Sequence, residues 1–409
     1  MTRHGWKAAA LALLAVTLSA CGGSGQDAGR TTLKVWAMGE EGKLLEEFAA
    51  SFEQEHSDIQ VDVQAIPWAN AHDKLLTAVA SGKGPDVLQI GTTWVAEFGE
   101  AETFLDLTDY MEEYPNFARD NFFEGATSST EFDGKIIGIP WYVDTRVLFY
   151  RTDLLADVGY PEGPQTWEEV EDAAGQLAAR GGRSYGLDID QQDQNFPFML
   201  AWEQGWQYEI EAGAESFAEP GFVRAMDIYT GFFARGEAPV SDDMDITQAF
   251  RQGIKPMFFS GPWMVRTIQD QAPELEGQWN VTLMPEGETR DSLIGGAHMT
   301  VFHNSPHVEE ALAFISYLAD PQTQTEWYDV SKALPAVKSA WDTPALAEDE
   351  MLGVFQEQMQ HVKAPPLIGQ YERIATELRK AIERINVGGT PLDEALERFR
   401  DEADSILSR

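Results

Sequence analysis

The chain has 409 residues, 68 of them acidic and 29 basic, for a net charge of −39 at neutral pH. A surface this acidic repels nucleic acid and anionic lipid, so neither is expected as a partner. Its length exceeds one ordinary core and points to two domains; with 43% hydrophobic residues and one cysteine, it must hold them by packing and has no internal disulfide.

At the N-terminus, Arg3 and Lys7 precede an apolar stretch at 8–18 that ends in small residues. This is the pattern of a secretory signal, assigned here to residues 1–20. It is shorter than the roughly 20 apolar residues a spanning helix needs. The run Leu18-Ser19-Ala20-Cys21 resembles the lipobox of bacterial lipoproteins, in which the cysteine is acylated and becomes the first residue of the mature chain. The other reading is an ordinary signal peptide with a cysteine beside it by accident. Two or three acyl chains anchor a protein stably where one binds only marginally. Gly22-Gly23-Ser24-Gly25 and the residues up to Arg30 read as a flexible tether, so 21–30 is expected to be lipidated cysteine plus spacer.

The first half then alternates strand and helix signals. Residues 32–36 form a short strand; 40–56 carry Leu44, Leu45, Phe48 and Phe52 as a helical stripe. Residues 59–66 alternate as a strand, 71–81 are helical, and Gly84-Pro85-Asp86 turns into the apolar strand 87–90. The order β-α-β-α-β predicts a parallel sheet with helices on both faces and a ligand beyond the carboxyl ends of the strands. Residues 36–42, 67–70 and 91–94 occupy those ends.

Further on, 132–140 and 147–150 are two strand-like runs flanking 141–146. Thr166-Trp167-Glu168-Glu169 has capping-box spacing and opens a helix. Residues 185–189 read as a strand, 196–204 and 221–234 as helices, and 256–259 as a strand. Gly261-Pro262-Trp263 opens another helix, with proline in its first turn. Residues 281–284 and 293–302 read as strands, and from His307 nearly everything reads as helical. No internal repeat and no single linker divides the chain. A chain that crosses between two lobes more than once has this pattern.

Several segments in this order carry a family resemblance. They are Gly84-Pro85-Asp86-Val87, then Asp133-Gly134-Lys135 through Pro140, then 147–150 and Asp153-Leu154-Leu155, then Thr166-Trp167-Glu168-Glu169, Gly261-Pro262-Trp263 and Gly295-Gly296. Together with the lipobox, the chain resembles the family 1 solute-binding proteins of ABC importers, the class of maltose-binding and related sugar-binding proteins. The resemblance implies an α/β fold of two hinged lobes with a ligand cleft between them. Lobe one would be 31–141 plus 293–336 and lobe two 145–290 plus 337–409, with crossings near 141–145, 290–293 and 336. It implies a monomeric, lipid-anchored receptor outside the cytoplasm that passes a neutral mono- to oligosaccharide to ABC permease subunits, touches the membrane only through its anchor, and is not an enzyme. No cofactor and no metal are implied.

Sugars offer hydroxyls and an apolar ring face, so their clefts combine planar aromatics with fixed donors and acceptors. Trp36, Trp68, Trp94, Trp141 and Trp263 fall at expected element junctions, whereas Trp202 and Trp206 read as core. The family's cleft positions favour Trp94, Trp141 and Trp263. Glu40 and Glu41 open the first helix, where favourable charge at a helix N-terminus also accounts for them; as ligands they would accept charge-assisted hydrogen bonds. Asp144 and Arg146, two apart in an extended segment, point to one side and are either a local ion pair or, by the family pattern for Asp144, sugar contacts. Thr92 and Thr93 offer hydroxyls. The charged pair that maltose-type members carry near Thr93 and Trp94 is absent. Asp190, Gln191 and Asn195 read as second-lobe ligands or as turn residues, and Gly296 and His298 as ligand contacts on the returning strand.

Other chemistries find little support. His303 and His307 are separated by Ser305-Pro306, which breaks the helix that would align them. Asp188, Asp190 and Asp193 lack the glycine and closing glutamate of a calcium loop. There is no phosphate loop and no Gly-x-Ser-x-Gly elbow. The rival readings are a receptor of the same fold for a polyol phosphate or osmolyte, and a secreted glycoside hydrolase using carboxylates such as Glu40 and Asp144.

Overall fold

The computed structural model describes residues 29–241 and 244–408. The expected signal peptide, Cys21 and the tether as far as Ala28 lie outside the described residues. The chain begins with the expected alternation: β1 (Thr31–Met38), α1 (Gly39–Glu55), β2 (Ile59–Ile66), α2 (Trp68–Ser81) and β3 (Val87–Gly91). In α1 the apolar stripe of Leu45, Ala49 and Phe52 is buried against the sheet. Helix α2 ends on Gly82, whose positive φ of 63° closes the last turn. Short helices α3 (Val95–Glu100) and α4 (Glu124–Ser128) follow.

The run expected at 132–140 is not one strand. Asp133-Gly134, both at positive φ, fold it into a hairpin of β4 (Glu131–Phe132) and β5 (Lys135–Ile136), and β6 (Ile139–Asp144) starts afresh. After β6 the chain leaves the first sheet. β7 (Val147–Tyr150), α5 (Thr152–Asp157), α6 (Trp167–Ala178), α7 (Phe196–Glu203), α8 (Pro220–Ala234), α9 (Ile246–Arg251), β8 (Met257–Ser260), α10 (Trp263–Gln271) and β9 (Asn280–Thr282) build a second layer around the antiparallel sheet β8-β7-β9. Thr166 caps α6 as expected, its hydroxyl accepting from the Glu169 amide. The strand expected at 185–189 reduces to a single bridge from Asp188 to Phe258.

The chain returns through β10 (Ser292–Leu293) to β11 (Gly295–Val301), α11 (Val308–Leu318), α12 (Pro321–Ser331) and β12 (Leu334–Pro335). This completes a six-stranded sheet in the order β12-β6-β11-β3-β1-β2. It is mixed rather than parallel: β1, β2 and β3 run together, and β11 lies antiparallel between β3 and β6. The remainder is α13 (Pro344–Ala347), α14 (Glu350–Gln358), β13 (Val362–Lys363), α15 (Tyr371–Asn386) and α16 (Leu392–Leu407). The turn at Lys338–Asp342 still packs on α12, and α14 packs on β7 and β9.

Both sheets are covered on two faces. Val35, Val87, Ile139 and Met299 face one core of the large sheet, and Met38, Leu88 and Ile90 face the other. In β7, Val147 and Phe149 point one way and Leu148 and Tyr150 the other. The segments that pass between the sheets are tied together. Ser292 and Leu293 pair with Val362 and Lys363, and the Ser292 hydroxyl bonds both backbone groups of Arg146, accepting from its N–H at 3.1 Å and donating to its carbonyl at 3.0 Å.

Phe149 anchors the second layer. Its ring stacks on Phe258 at 4.9 Å and Trp279 at 6.0 Å, and it meets Phe355 of α14. Phe149→Ala is expected to cost about 3–5 kcal/mol, read from urea unfolding, because this packed site cannot collapse around the void.

Candidate functional site

A cleft of about 660 Å³ opens at the carboxyl ends of β1, β3 and β6 and is closed on its far side by residues of the second layer. The first sheet supplies Glu41, Trp68, Thr93 and Trp94; the second layer supplies Asn195, Trp263 and Glu372. Trp68 and Trp94 meet edge to face at 5.6 Å. Trp68 is 37% and Trp263 is 44% exposed, unusual for indoles among so many buried aromatics. Trp263 sits two residues after Gly261, where a Cβ would lie 2.0 Å from the indole.

Arg146 organises the floor. Its Nη1 donates to Asp144 Oδ1 at 2.7 Å, its Nε reaches Asp193 Oδ2 at 3.4 Å, and its guanidinium lies 4.8 Å from the Trp263 ring centroid. Burial alone would lower the pKa of this guanidinium, but the two carboxylates outweigh it, and the group is held charged even more firmly than usual. One side chain thereby fixes a carboxylate at the end of β6 and an indole at the start of α10.

The polar groups of the cleft are oriented from behind. Gln89 accepts the Met38 amide at 2.6 Å through Oε1, so its Nε2 must donate, and it does so to the Tyr142 hydroxyl at 3.1 Å. The Tyr142 proton is then left for another acceptor. Burial first, then Glu41 and Asp144, raise the Tyr142 pKa far above that of an ordinary phenol, so it stays a donor. Tyr371 donates to Asn195 Oδ1 at 2.7 Å, which leaves the Asn195 amide NH₂ as the group free to donate. Glu41 has its pKa raised, by burial first and then by Asp144 and Glu40 against a bond from its own backbone. Gln194 donates to Glu372. Gly295 and Gly296 line the wall because nothing larger fits: a Cβ would stand 2.2 Å from Asp144 Oδ1 at the first and 2.2 Å from the Tyr142 carbonyl at the second, where φ is +113°.

The cleft thus gathers Glu41, Trp68, Thr93, Trp94, Asp144, Arg146, Asn195, Trp263 and Gly296 from the residues expected in sequence. Others lie elsewhere, among them Trp36, which lies under Lys74, and Gln191, whose amide donates to the Val240 carbonyl at 3.0 Å. Glu40 points to solvent and pairs with Lys43. Trp141 lies within β6, not at a junction, and is buried against Trp327 at 4.8 Å. Asp190 is exposed and caps its own turn, accepting from the Gln192 amide. His298 is buried behind the sheet with Nε2 on Ser129 at 3.1 Å. The sequence reading missed Tyr142, Gln194, Lys332 and Glu372. Tyr142 was discoverable, since it stands two residues before Asp144 in an extended segment and so shares its side. The other three arrive through tertiary packing of loops and helix ends. Among the described residues, no group of three or more His, Cys, Asp or Glu is arranged to hold a metal ion.

Residues 47–353 match the model of a family described as bacterial extracellular solute-binding protein. The chain belongs to that family, which bears out the resemblance read from its motif order. The sugar-binding protein MalE from Xanthomonas citri is 33% identical in sequence, with a TM-score of 0.86 over 92% of this chain and 98% of that one. The galactooligosaccharide-binding protein of Bacillus subtilis (strain 168) is 25% identical over 417 residues, covering 96% of this chain and 94% of its own. The GacH receptor of Streptomyces glaucescens, solved unliganded and with acarbose, shares the fold, with a TM-score of 0.81 at 24% identity over 93% and 99% of the two chains.

Burial lowers the pKa of His298 to about 3. The unfolded side chain takes up its proton near 6.5, so the unfolded state binds more protons between these values and stability falls as pH drops through that window. His298→Gln should flatten the dependence: at pH 5 the slope of unfolding free energy against pH, from urea titrations, should shrink by close to one proton.

Proposed function

We propose that this protein captures a neutral mono- to oligosaccharide in the cleft and delivers it to the permease of an ABC importer. The observation that carries the reading is the facing set of accessible indoles, Trp68 and Trp94 against Trp263, with pre-oriented acceptors and donors between them. Indoles cover the apolar face of a sugar ring, and Glu41, Asp144, Tyr142 and Asn195 suit its hydroxyl edge. Arg146 already faces two carboxylates, which argues against an anionic solute. The Xanthomonas and Bacillus relatives, named as sugar-binding and galactooligosaccharide-binding proteins, support the same class.

In this reading residues 31–141 plus 293–342 form one lobe and 145–290 plus 343–409 the other, the last crossing standing past Asp342 rather than near 336 because 338–342 pack on α12. The lobes close on the solute by bending at the tied segments around Arg146, Ser292 and Val362. The carboxylates bind; they have no substrate bond to break. Acylated Cys21 and the glycine-rich tether hold the monomeric receptor on the outer face of the membrane, within reach of its permease.

Titration calorimetry against a panel of neutral sugars tests the solute class, with a dissociation constant in the micromolar range, about −8 kcal/mol, as the expected result. Trp263→Ala and Asp144→Asn should each weaken binding tenfold or more, a loss of about 1.4 kcal/mol or greater. Binding of amino acids, peptides or phosphates in place of every sugar refutes the reading.

Cys21→Ala should release the protein from the membrane fraction on cell lysis while leaving its affinity for sugar unchanged. Retention in the membrane fraction would remove the anchor from the account.

A further inference from the structure

Trp68 and Trp263, the exposed indoles that face each other across the cleft, each lie directly against a glycine. At Gly39, where β1 turns into α1, a Cβ would stand 2.8 Å from both Cδ1 and Nε1 of Trp68. At Gly261, between β8 and α10, it would stand 2.0 Å from Cζ3 and 2.3 Å from Cη2 of Trp263. We propose that Gly39 and Gly261 are positioning residues of the ligand site: each is the seat that fixes where an indole stands, and together they set the spacing of the two aromatic walls. The proposal rests on the sugar reading given above for the ligand that meets those walls.

Three observations carry it. The first is that the backbone at both seats is fixed from behind. The Met38 amide donates to Gln89 at 2.6 Å, which holds the chain just before Gly39. Gly39 itself has a φ of +61°, a conformation that glycine adopts freely and other residues avoid. Ser260 is paired with Val147 in the second sheet, and the Gly261 carbonyl accepts the Met264 amide at 3.1 Å. A methyl group added at either position therefore has to be met by movement of the indole.

The second is how little else confines the two rings. Trp68 meets Trp94 edge to face at 5.6 Å and passes Gly91 at ordinary contact distance, where a Cβ would be 3.6 Å from Cζ3. Trp263 has the Arg146 guanidinium 4.8 Å from its ring centroid. An exposed side chain with so few neighbours would otherwise lose rotamer freedom only when the solute arrives. A ring seated on backbone has met that cost in folding, which favours affinity.

The third is that one seat serves two groups. The same Cβ at Gly39 would stand 3.0 Å from Glu41 Oε2. The indole of Trp68 and the carboxylate of Glu41 are thus held at a fixed separation by a single backbone position, one for the ring face of a sugar and the other for its hydroxyl edge.

The test is a pair of double-mutant cycles on the intact protein. Gly39→Ala is combined with Trp68→Ala, and Gly261→Ala with Trp263→Ala. Affinity is measured by calorimetry with the tightest binder from a panel of gluco-, galacto- and arabino-sugars of one to four units. Each glycine variant should weaken binding at least tenfold while its indole is present and less than twofold once the indole is gone. Gly236→Ala places the same backbone strain, at a φ of +73°, in open space; it should lower the urea midpoint and leave affinity within twofold. Near-ultraviolet circular dichroism of the unliganded protein needs no sugar: the difference spectrum of each glycine variant should vanish in the background that lacks its indole. Wild-type affinity in both glycine variants, or an equal loss with and without the indole, would overturn the proposal and leave the sugar reading standing. Failure of every sugar to bind the parent protein would remove the sugar reading, and difference spectra that persist without the indoles would then remove the seats as well.

Discussion

A buried guanidinium cannot stand alone. Removing Arg146 from water costs several kcal/mol unless carboxylates and hydrogen bonds compensate, and this requirement fixes much of the surrounding geometry. Asp144 must sit at the last position of β6, Asp193 must come in from the second layer, and Ser292 must hold the Arg146 backbone from the returning segment. The Trp263 indole covers the guanidinium. The same side chain therefore joins the two layers, sets the register of two crossings and positions both a carboxylate and an aromatic wall of the cleft.

A similar logic runs through the rest of the wall. Tyr142 and Asn195 have one partner fixed from the protein side, by Gln89 and Tyr371, so their remaining valences have defined direction. A solute then meets donors and acceptors whose ordering cost has already been met in folding. The two glycines on β11 allow the backbone to approach this wall so closely that any side chain would collide with Asp144 or with the Tyr142 carbonyl. The polar face and the close backbone are thus one construction.

How much of this was legible in sequence depended on the range of the forces involved. The β1-α1-β2-α2-β3 order was readable because apolar period and turn residues are local, and β2 matched residue for residue at 59–66. The cleft's place at the strand ends followed from that order. What failed did so for long-range reasons. Trp141 looked like a junction residue because its strand was expected to end at Pro140; β6 instead continues to Asp144 as an interior strand of the large sheet, between β12 and β11, and buries it. His298 shares a strand with Gly296 but lies two residues farther into the sheet, paired with Ile90 and Pro140 and buried, whereas Gly296 stands at the start of the strand. Glu372 and Lys332 reach the cleft only because α15 and the end of α12 pack there, and no local pattern encodes that.

The acid excess bears on the solute as well as on solubility. With 68 acids against 29 bases, cations are the scarce resource of this chain. Several are committed to structure: Arg151 is buried on Asp153 and the Phe250 carbonyl, Lys255 is buried on Asp188, and Arg146 is shared by two aspartates. Binding an anion in the cleft would require cations left unneutralised at its floor, and there the carboxylates outnumber them. A cation would find carboxylates, but also the Arg146 charge at their centre. A neutral solute that exchanges many modest hydrogen bonds suffers neither conflict. The field of the whole chain and the local pairing of Arg146 thus point to the same class of ligand, although one acts over the entire surface and the other within a few ångströms.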